Sequence, residues 1–490
     1  MFESAEIGAK VSKQDFKKEE PKLRTELLAI QKKLASADFP VILLVSGVEA
    51  AGKTSLVNLL LEWMDARGIE VHAPWDSTDE ERERPRLWRF WRMLPPKGKM
   101  GVFLGSWYTD PIVDRVFKRM KDRSFEAELR RIRDLENMLT REGALIVKLW
   151  LHLSEKTQKK RLAKLAEDPD TSWRVTKRDW SFFERYDRFR RFSERALRTT
   201  STGKAPWHVI EATDRHHTAL TAAKTLARAV RARVKEAARP APAREPDTPR
   251  PKRVNALNSL DYGLKLGLKE YKDRLAKSQA RLSVLTRSLR RKGRSMILLF
   301  EGPDAAGKGG VIRRMTRAID ARLYRVISTA APTGDERAHP HLWRFWRDLP
   351  RLGRVGIYDR SWYGRVLVER LEGFCAPEAW KRAYNEINDF EGQLTDFGII
   401  LVKFWIAITP EEQLSRFKDR KLKPYKQYKL TEEDWRNREK WGAYEAAACE
   451  TIERTSTEYA PWTLVEGNDK RWARVKAIGT VVDRLGKELG

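Results

Sequence analysis

A glycine-rich stretch ending in one lysine, Gly302-Pro-Asp-Ala-Ala-Gly307-Lys308-Gly309, is the part of this 490-residue chain best suited to handle phosphate. In a G-x-x-x-x-G-K loop between a strand and a helix, successive backbone N–H groups surround a phosphate and the helix N-terminus adds partial positive charge. Asp304, Ala305, Ala306, Gly307, Lys308, Gly309 and Gly310 would form that cradle, with Lys308 as the point charge on a transferring phosphoryl group. Gly309 stands where a Ser or Thr hydroxyl normally holds Mg²⁺. Two carboxylates could substitute: Asp304 inside the loop, and Asp359 directly after the apolar run Val355-Gly-Ile-Tyr358. Arg360, the next residue, could neutralise charge developing on the phosphoryl group.

Most of this chemistry is written twice, with a constant spacing of 255 residues, but the first copy is incomplete. Gly47-Val-Glu-Ala-Ala-Gly52-Lys53-Thr54 precedes the loop above, Arg86-Leu-Trp-Arg-Phe-Trp-Arg92 precedes His341-Leu-Trp-Arg-Phe-Trp-Arg347, and Ser106-Trp-Tyr108 precedes Ser361-Trp-Tyr363. Such a repeat is too long for a solenoid unit and reads as two copies of one domain. The first copy keeps Lys53 and gains Thr54, yet Glu49 replaces Asp304, Leu104 replaces Asp359 and Gly105 replaces Arg360. Leucine cannot ligate a cation and glycine cannot offset charge, so the first copy is expected to be catalytically silent. The aromatic segments persist in both copies and are therefore assigned to core packing.

Around these residues, apolar runs alternate with helical spacing. Ser295–Phe300 leads into the second loop, and Val311, Ile312, Met315 and Ile319 share one helical face after it. Arg325–Ser328, Val355–Tyr358 and Ile399–Trp405 are further strand candidates, and the first copy repeats the order through Pro40–Val45, Val102–Phe103 and Ala144–Trp150. Strands alternating with helices predict an α/β fold, a parallel sheet covered on both faces, in each copy. The Pro-rich stretch 237–253 reads as a linker between a domain over 1–236 and another over 254–490.

A net charge of +29 points to a polyanionic ligand, whether nucleic acid, acidic lipid or a phosphate chain. Cys375 and Cys449 give no disulfide framework, the N-terminus has no basic-then-apolar signal pattern, and no apolar run reaches spanning length. A cytoplasmic protein with no membrane partner is expected.

Gly302-x-Asp-x-x-Gly-Lys-Gly309, Pro332-Thr333, Asp359-Arg-Ser-Trp-Tyr363, Tyr425-Lys-Gln-Tyr-Lys-Leu-Thr431 and Arg454-Thr-Ser-Thr-Glu-Tyr-Ala-Pro-Trp462 together resemble the second polyphosphate kinase family. The likeness spans nearly the whole of each copy. The fused arrangement is similar to the branch whose members convert AMP to ADP with inorganic polyphosphate as donor, the C-terminal domain being the active one. The resemblance implies two tandem P-loop kinase folds, each with a helical lid, and Mg²⁺ as cofactor. The lid here would run from about Arg416 to Lys440, and Arg420 matches the family's lid arginine where the first copy has Leu165. Arg313, Arg314 and Arg317 on the helix after the loop, with lid residues Lys426 and Lys429, would track the phosphate chain; the first copy has Asn58, Leu59 and Glu62 on its helix.

Lys308, Asp359, Arg360 and Arg420 are thus the expected catalytic residues, and Asp304 and Asp359 the metal ligands. The fold and loop also allow a nucleoside monophosphate kinase using ATP, but the arginine edge from Arg313 to Arg317 and the lid stretch Tyr425–Lys429 favour a long anionic donor. A nucleic-acid-binding P-loop protein is disfavoured, because no base-reading module accompanies the charge. The expected partners are polyphosphate and AMP or ADP, with room for a homo-oligomer.

Overall fold

The computed structural model describes residues 1–238, 245–424 and 432–490. The chain divides into two compact units: Met1–Ser77, Arg89–Ala241 and Thr333–Trp343 in the first, and Thr78–Trp88, Pro242–Pro332 and Arg344–Gly490 in the second.

Each unit is built on a five-stranded parallel sheet. In the first, β1 (Val41–Gly47), β2 (Ile69–His72), β3 (Met100–Leu104), β4 (Leu145–His152) and β5 (Trp207–Glu211) lie in the order β2-β3-β1-β4-β5. In the second, β6 (Ser295–Glu301), β7 (Tyr324–Ser328), β8 (Val355–Asp359), β9 (Ile399–Ala407) and β10 (Trp462–Glu466) repeat it as β7-β8-β6-β9-β10. The central strands β6 and β9 are buried at every position, as a sheet covered on both faces requires, and their unbroken apolar runs follow from that. One face of the second sheet packs the helices Leu268–Ser288, Lys308–Thr316 and Lys470–Leu489 in a core that includes Leu298, Phe300, Ile312, Met315, Val402 and Ile478. The outer strands β2, β5, β7 and β10 are less buried than β6 and β9, which is why no continuous apolar run announced β2, β5 or β10.

The repeated Ser-Trp-Tyr motif proves structural. In the second unit, the Lys403 ammonium lies 2.7 Å from the Glu391 carboxylate, which also accepts from the Tyr363 hydroxyl and the Trp362 indole. Lys148, Glu136, Tyr108 and Trp107 form the same network in the first. Burial lowers the lysine pKa and raises the glutamate pKa in both units. Deleting the lysine or the glutamate alone would strand a buried charge, at about 3–5 kcal/mol.

The Pro-rich stretch has no helix or strand over 245–253. There Asp247 receives the Arg370 guanidinium at 2.6 Å and donates its amide to the Arg370 carbonyl. Among the described residues, no helix is long and apolar enough to cross a membrane.

Candidate active site

The phosphate loop joins the end of β6 to the helix Lys308–Thr316. Gly302 must be glycine: at φ +136°, a Cβ there would sit 2.3 Å from the Ile406 carbonyl oxygen, and Gly47 meets the Leu151 carbonyl in the same way. Ala305 takes the left-handed conformation at φ 61°, as Ala50 does at 59°, and Gly307 caps the helix at φ 112°. The loop is clamped from outside by Arg416, whose guanidinium donates to the carbonyls of Ala305, Ala306, Gly467 and Asn468. Arg161 grips Ala50, Ala212 and Thr213 in the first unit. Arg416, expected at the start of a lid, is therefore a loop-holding residue common to both units.

Lys308 is buried, and its ammonium donates to the Gly302 carbonyl at 2.6 Å and the Pro303 carbonyl at 3.1 Å. Burial and then Arg360 lower its pKa, while Asp304, Asp359 and Glu301 oppose them. Asp304 faces the opposite balance. Burial favours its neutral form, but Arg360 and Lys308 outweigh that and its pKa falls. One Asp304 oxygen pairs with Arg360 at 2.5 Å and the other accepts from Asn437 at 3.0 Å. Burial works against the Arg360 cation, yet Asp304 and its neighbours raise its pKa overall.

Arg360 itself sits in left-handed backbone at φ 63°, where the first unit has Gly105 at φ 91°. Left-handed backbone in a long side chain persists only when its surroundings hold it, and it concentrates at working sites. Here the Arg360 amide donates to the Phe300 carbonyl, and the Thr329 hydroxyl donates to the Arg360 carbonyl. Ser361, the next residue, donates to the fully buried Glu301 at 2.7 Å, and burial raises the Glu301 pKa. Ser46 occupies the Glu301 position in the first copy.

These groups open onto a cleft of about 520 Å³. The loop from Asp304 to Gly310, Asp359, Arg360, Arg416, Arg420 and Arg313 all line it. Arg314 and Arg317 are not among its lining residues; Arg314 folds back onto the Gly310 carbonyl at 3.2 Å. Lys426 and Lys429 fall outside the described residues. The cleft adds two cations that sequence reasoning missed, Lys470 and Arg474, on the helix after β10. Comparing the copies could have found Arg474, since the first has Ala219 there; Lys470 is matched by Arg215 and gave no such signal. Glu301 and Asn437 were also missed, because neither belongs to a recognised loop position. Arg344 donates to the Ala330 carbonyl, as Arg89 does to that of Trp75, so both hold the equivalent loop in their own units.

The first unit answers Lys53 differently. Without an arginine at Gly105, Glu49 turns onto Lys53 at 3.1 Å and the lysine is neutralised within its own loop.

The residues present suit Mg²⁺. Among the described residues no group of three or more His, Cys, Asp or Glu side chains could hold a metal. Mg²⁺ characteristically takes only one or two carboxylates and completes its shell with water and substrate phosphates. Asp304 and Asp359 line the same cleft as the loop and could supply those two, Asp304 by releasing Arg360 or Asn437.

The family model for polyphosphate kinase 2 (PPK2) matches residues 10–238 and again 265–489. The chain is 50% identical to the polyphosphate:AMP phosphotransferase of Pseudomonas aeruginosa over 488 residues, covering 99% of this chain and 98% of the relative. It is 36% identical to the polyphosphate:AMP phosphotransferase of Acinetobacter johnsonii, covering 91% and 90% of the two chains. A Pseudomonas aeruginosa PA01 crystal structure assigned to polyphosphate kinase 2 superposes with a TM-score of 0.90 at 48% identity, covering 100% of this chain and 99% of the other. With both halves matched and the fold shared end to end, the chain belongs to the polyphosphate kinase 2 family and carries that family's domain twice.

Proposed function

We infer that the chain is a polyphosphate-dependent nucleotide phosphotransferase that moves the terminal phosphoryl group of inorganic polyphosphate onto AMP, giving ADP. One observation carries this reading. The phosphate loop opens into a cleft of about 520 Å³ that gathers Lys308, Arg313, Arg360, Arg420, Lys470 and Arg474, more cations than one phosphate needs, beside the carboxylates Asp304, Asp359, Asp419 and Asp434. Near-full-length identity to polyphosphate:AMP phosphotransferases supports it.

The donor chain lies along the cleft with its terminal phosphate at the loop. An oxygen of the AMP phosphate attacks the terminal phosphorus, the bond to the bridging oxygen breaks, and the shortened chain leaves with that oxygen's negative charge. The attacking oxygen is already ionised, so no general base is needed and the protein contributes positioning and electrostatics. Lys308, Arg360 and Arg420 neutralise charge on the transferring group. Asp304 and Asp359 would hold Mg²⁺, which supplies further charge neutralisation on the phosphate oxygens. The loop-clamping Arg416 and the left-handed turn at Arg360 fix the backbone that carries Asp304, Lys308 and Arg360.

The second unit performs the reaction in this reading. Leu104, Gly105, Leu165 and the Glu49–Lys53 pair support a catalytically silent first unit. The test is steady-state turnover of AMP with polyphosphate, and with ATP as alternative donor, in wild type, Lys308→Ala and Lys53→Ala. Lys308→Ala should lose roughly 10²–10⁴-fold, about 3–5 kcal/mol, and Lys53→Ala less than about twofold. Equal losses would mean that both units work, and preference for ATP would remove the polyphosphate reading.

A further inference from the structure

Two residues that the transfer step does not use converge on the turn that carries Arg360. Glu301 ends β6 and is 4% exposed; its carboxylate accepts from the Ser361 hydroxyl at 2.7 Å. The Ser361 oxygen in turn accepts from the Tyr363 amide at 3.3 Å. Thr329 follows β7 and makes two bonds to the same turn. Its amide donates to the Asp359 carbonyl and its hydroxyl to the Arg360 carbonyl, both at 3.0 Å. Glu301 therefore holds the residue after Arg360, and Thr329 holds the carbonyls of Arg360 and of the residue before it.

The first unit lacks each of these parts. Ser46 stands at the Glu301 position, Pro74 at the Thr329 position and Gly105 at the Arg360 position. Proline has neither an N–H nor a hydroxyl, so the two Thr329 bonds have no counterpart. Glycine takes left-handed backbone without steric cost, so Gly105 at φ 91° needs no support. A Cβ there would also come within 3.2 Å of the Pro74 carbonyl oxygen. Ser106, by contrast, is retained and still accepts from the Tyr108 amide at 3.4 Å. The serine is common to both units, whereas the carboxylate and the threonine accompany only the arginine. Stability gives no reason to keep Glu301. Among the described residues Ser361 is its one hydrogen-bond donor, which is poor compensation for the water a buried carboxylate loses.

We propose that Glu301 and Thr329 are positioning residues for phosphoryl transfer, holding the Arg360 turn so that its guanidinium meets the transferring group in place. This rests on the polyphosphate phosphotransferase reading and on Arg360 facing that group. Neither residue lines the cleft, so both act through Arg360 and not on the polymer. Without them, Arg360 relaxes towards ordinary backbone and carries its guanidinium out of line. A misplacement of about 1 Å can cost on the order of 10²-fold in rate. A group that acts only in the transition state lowers kcat and leaves KM alone. Glutamine at position 301 keeps an acceptor for Ser361; alanine does not.

The experiment is a set of double-mutant cycles on the full chain. Glu301→Ala, Glu301→Gln and Thr329→Val are made in wild type and in Arg360→Gly, and each is measured for kcat and KM with AMP and polyphosphate and for melting temperature. In the wild-type background Glu301→Ala should lower kcat by at least about tenfold and Thr329→Val by about fivefold, with both KM values within about twofold. Glu301→Gln should lose no more than about threefold. In Arg360→Gly, where the turn needs no support, the same substitutions should change kcat by less than about twofold. Undiminished kcat in folded Glu301→Ala and Thr329→Val would overturn the proposal. Equal losses in both backgrounds would also overturn it, by showing that the pair acts on something other than Arg360. Thr329→Val keeps the amide bond to Asp359 at a half-buried position, and serves if Glu301→Ala does not fold. A wild-type chain that passes no phosphoryl group from polyphosphate to AMP would sink the phosphotransferase reading and the proposal with it, a result distinct from an active wild type with indifferent variants.

Discussion

Replacing Arg360 by glycine, the residue at Gly105 of the first unit, separates chemistry from stability in one substitution. Arg360 occupies left-handed backbone at φ 63°, which costs an L-residue roughly 1–2 kcal/mol and is relieved by glycine. Two losses oppose that gain. Glycine enlarges the entropy of the unfolded chain by about 0.5–1 kcal/mol. The ion pair to Asp304 also disappears; Asp304 is only 14% exposed but keeps Asn437 and Lys308 beside it, and the Arg360 side chain is 40% exposed, so the loss is held to about 1 kcal/mol. The sum lies within about 1 kcal/mol of zero, so the melting temperature should move by no more than about 2–4 °C. Catalysis has no such compensation. Loss of a cation facing the transferring phosphoryl group should lower kcat/KM by roughly 10²–10⁴-fold, about 3–5 kcal/mol. Paired thermal melts and steady-state assays with AMP and polyphosphate decide the matter. If Arg360→Gly melts normally and keeps more than a tenth of wild-type kcat/KM, the assignment of Arg360 to the transferring group is wrong. A drop of 10 °C or more would instead make its role structural.

Glu301→Gln should raise the melting temperature at neutral pH. Burial holds the folded-state Glu301 pKa above its ordinary value, against Ser361 and Lys308, so its favourable contribution is complete at low pH and is lost as pH rises through that value. The gain from glutamine should therefore be present at pH 7.5 and shrink towards zero below the usual carboxylate range; an identical difference at both ends of a pH series of melts would show that the group does not titrate. Arg474→Ala should raise the KM for polyphosphate by up to about fivefold, since a solvent-screened charge contact is worth about 1 kcal/mol or less. The increase should be steeper for long chains than for tripolyphosphate, and no change at any chain length would remove Arg474 from the donor channel.

How far the sequence could be read depended on how local each signal was. Strands β6, β8 and β9 were legible because burial on both faces demands unbroken apolar runs. The loop from Asp304 to Gly310 was legible because close backbone approach at Gly302 and a capped helix at Gly307 leave little choice of residue. Arg313, Arg314 and Arg317 read alike in the sequence, yet of the three only Arg313 lines the cleft. Cations three or four apart on a helix share an edge, but whether that edge faces a cleft or a neighbouring helix depends on what packs against it. Arg474 was hidden for the converse reason, since it joins the site from a helix more than 160 residues after the loop.

By itself the sequence determined that the chain is a duplicated parallel α/β domain, that each copy holds a phosphate loop, and that Asp359 and Arg360 remain in only one of them. Those properties follow from periodicity and from residue types that allow no substitute. Tertiary structure alone decided that Asp304 pairs with Arg360, that Glu49 turns onto Lys53, and that Arg416 clamps the loop. Each depends on which distant side chains converge, and a local pattern cannot encode a distance between residues that meet only when the sheet has formed.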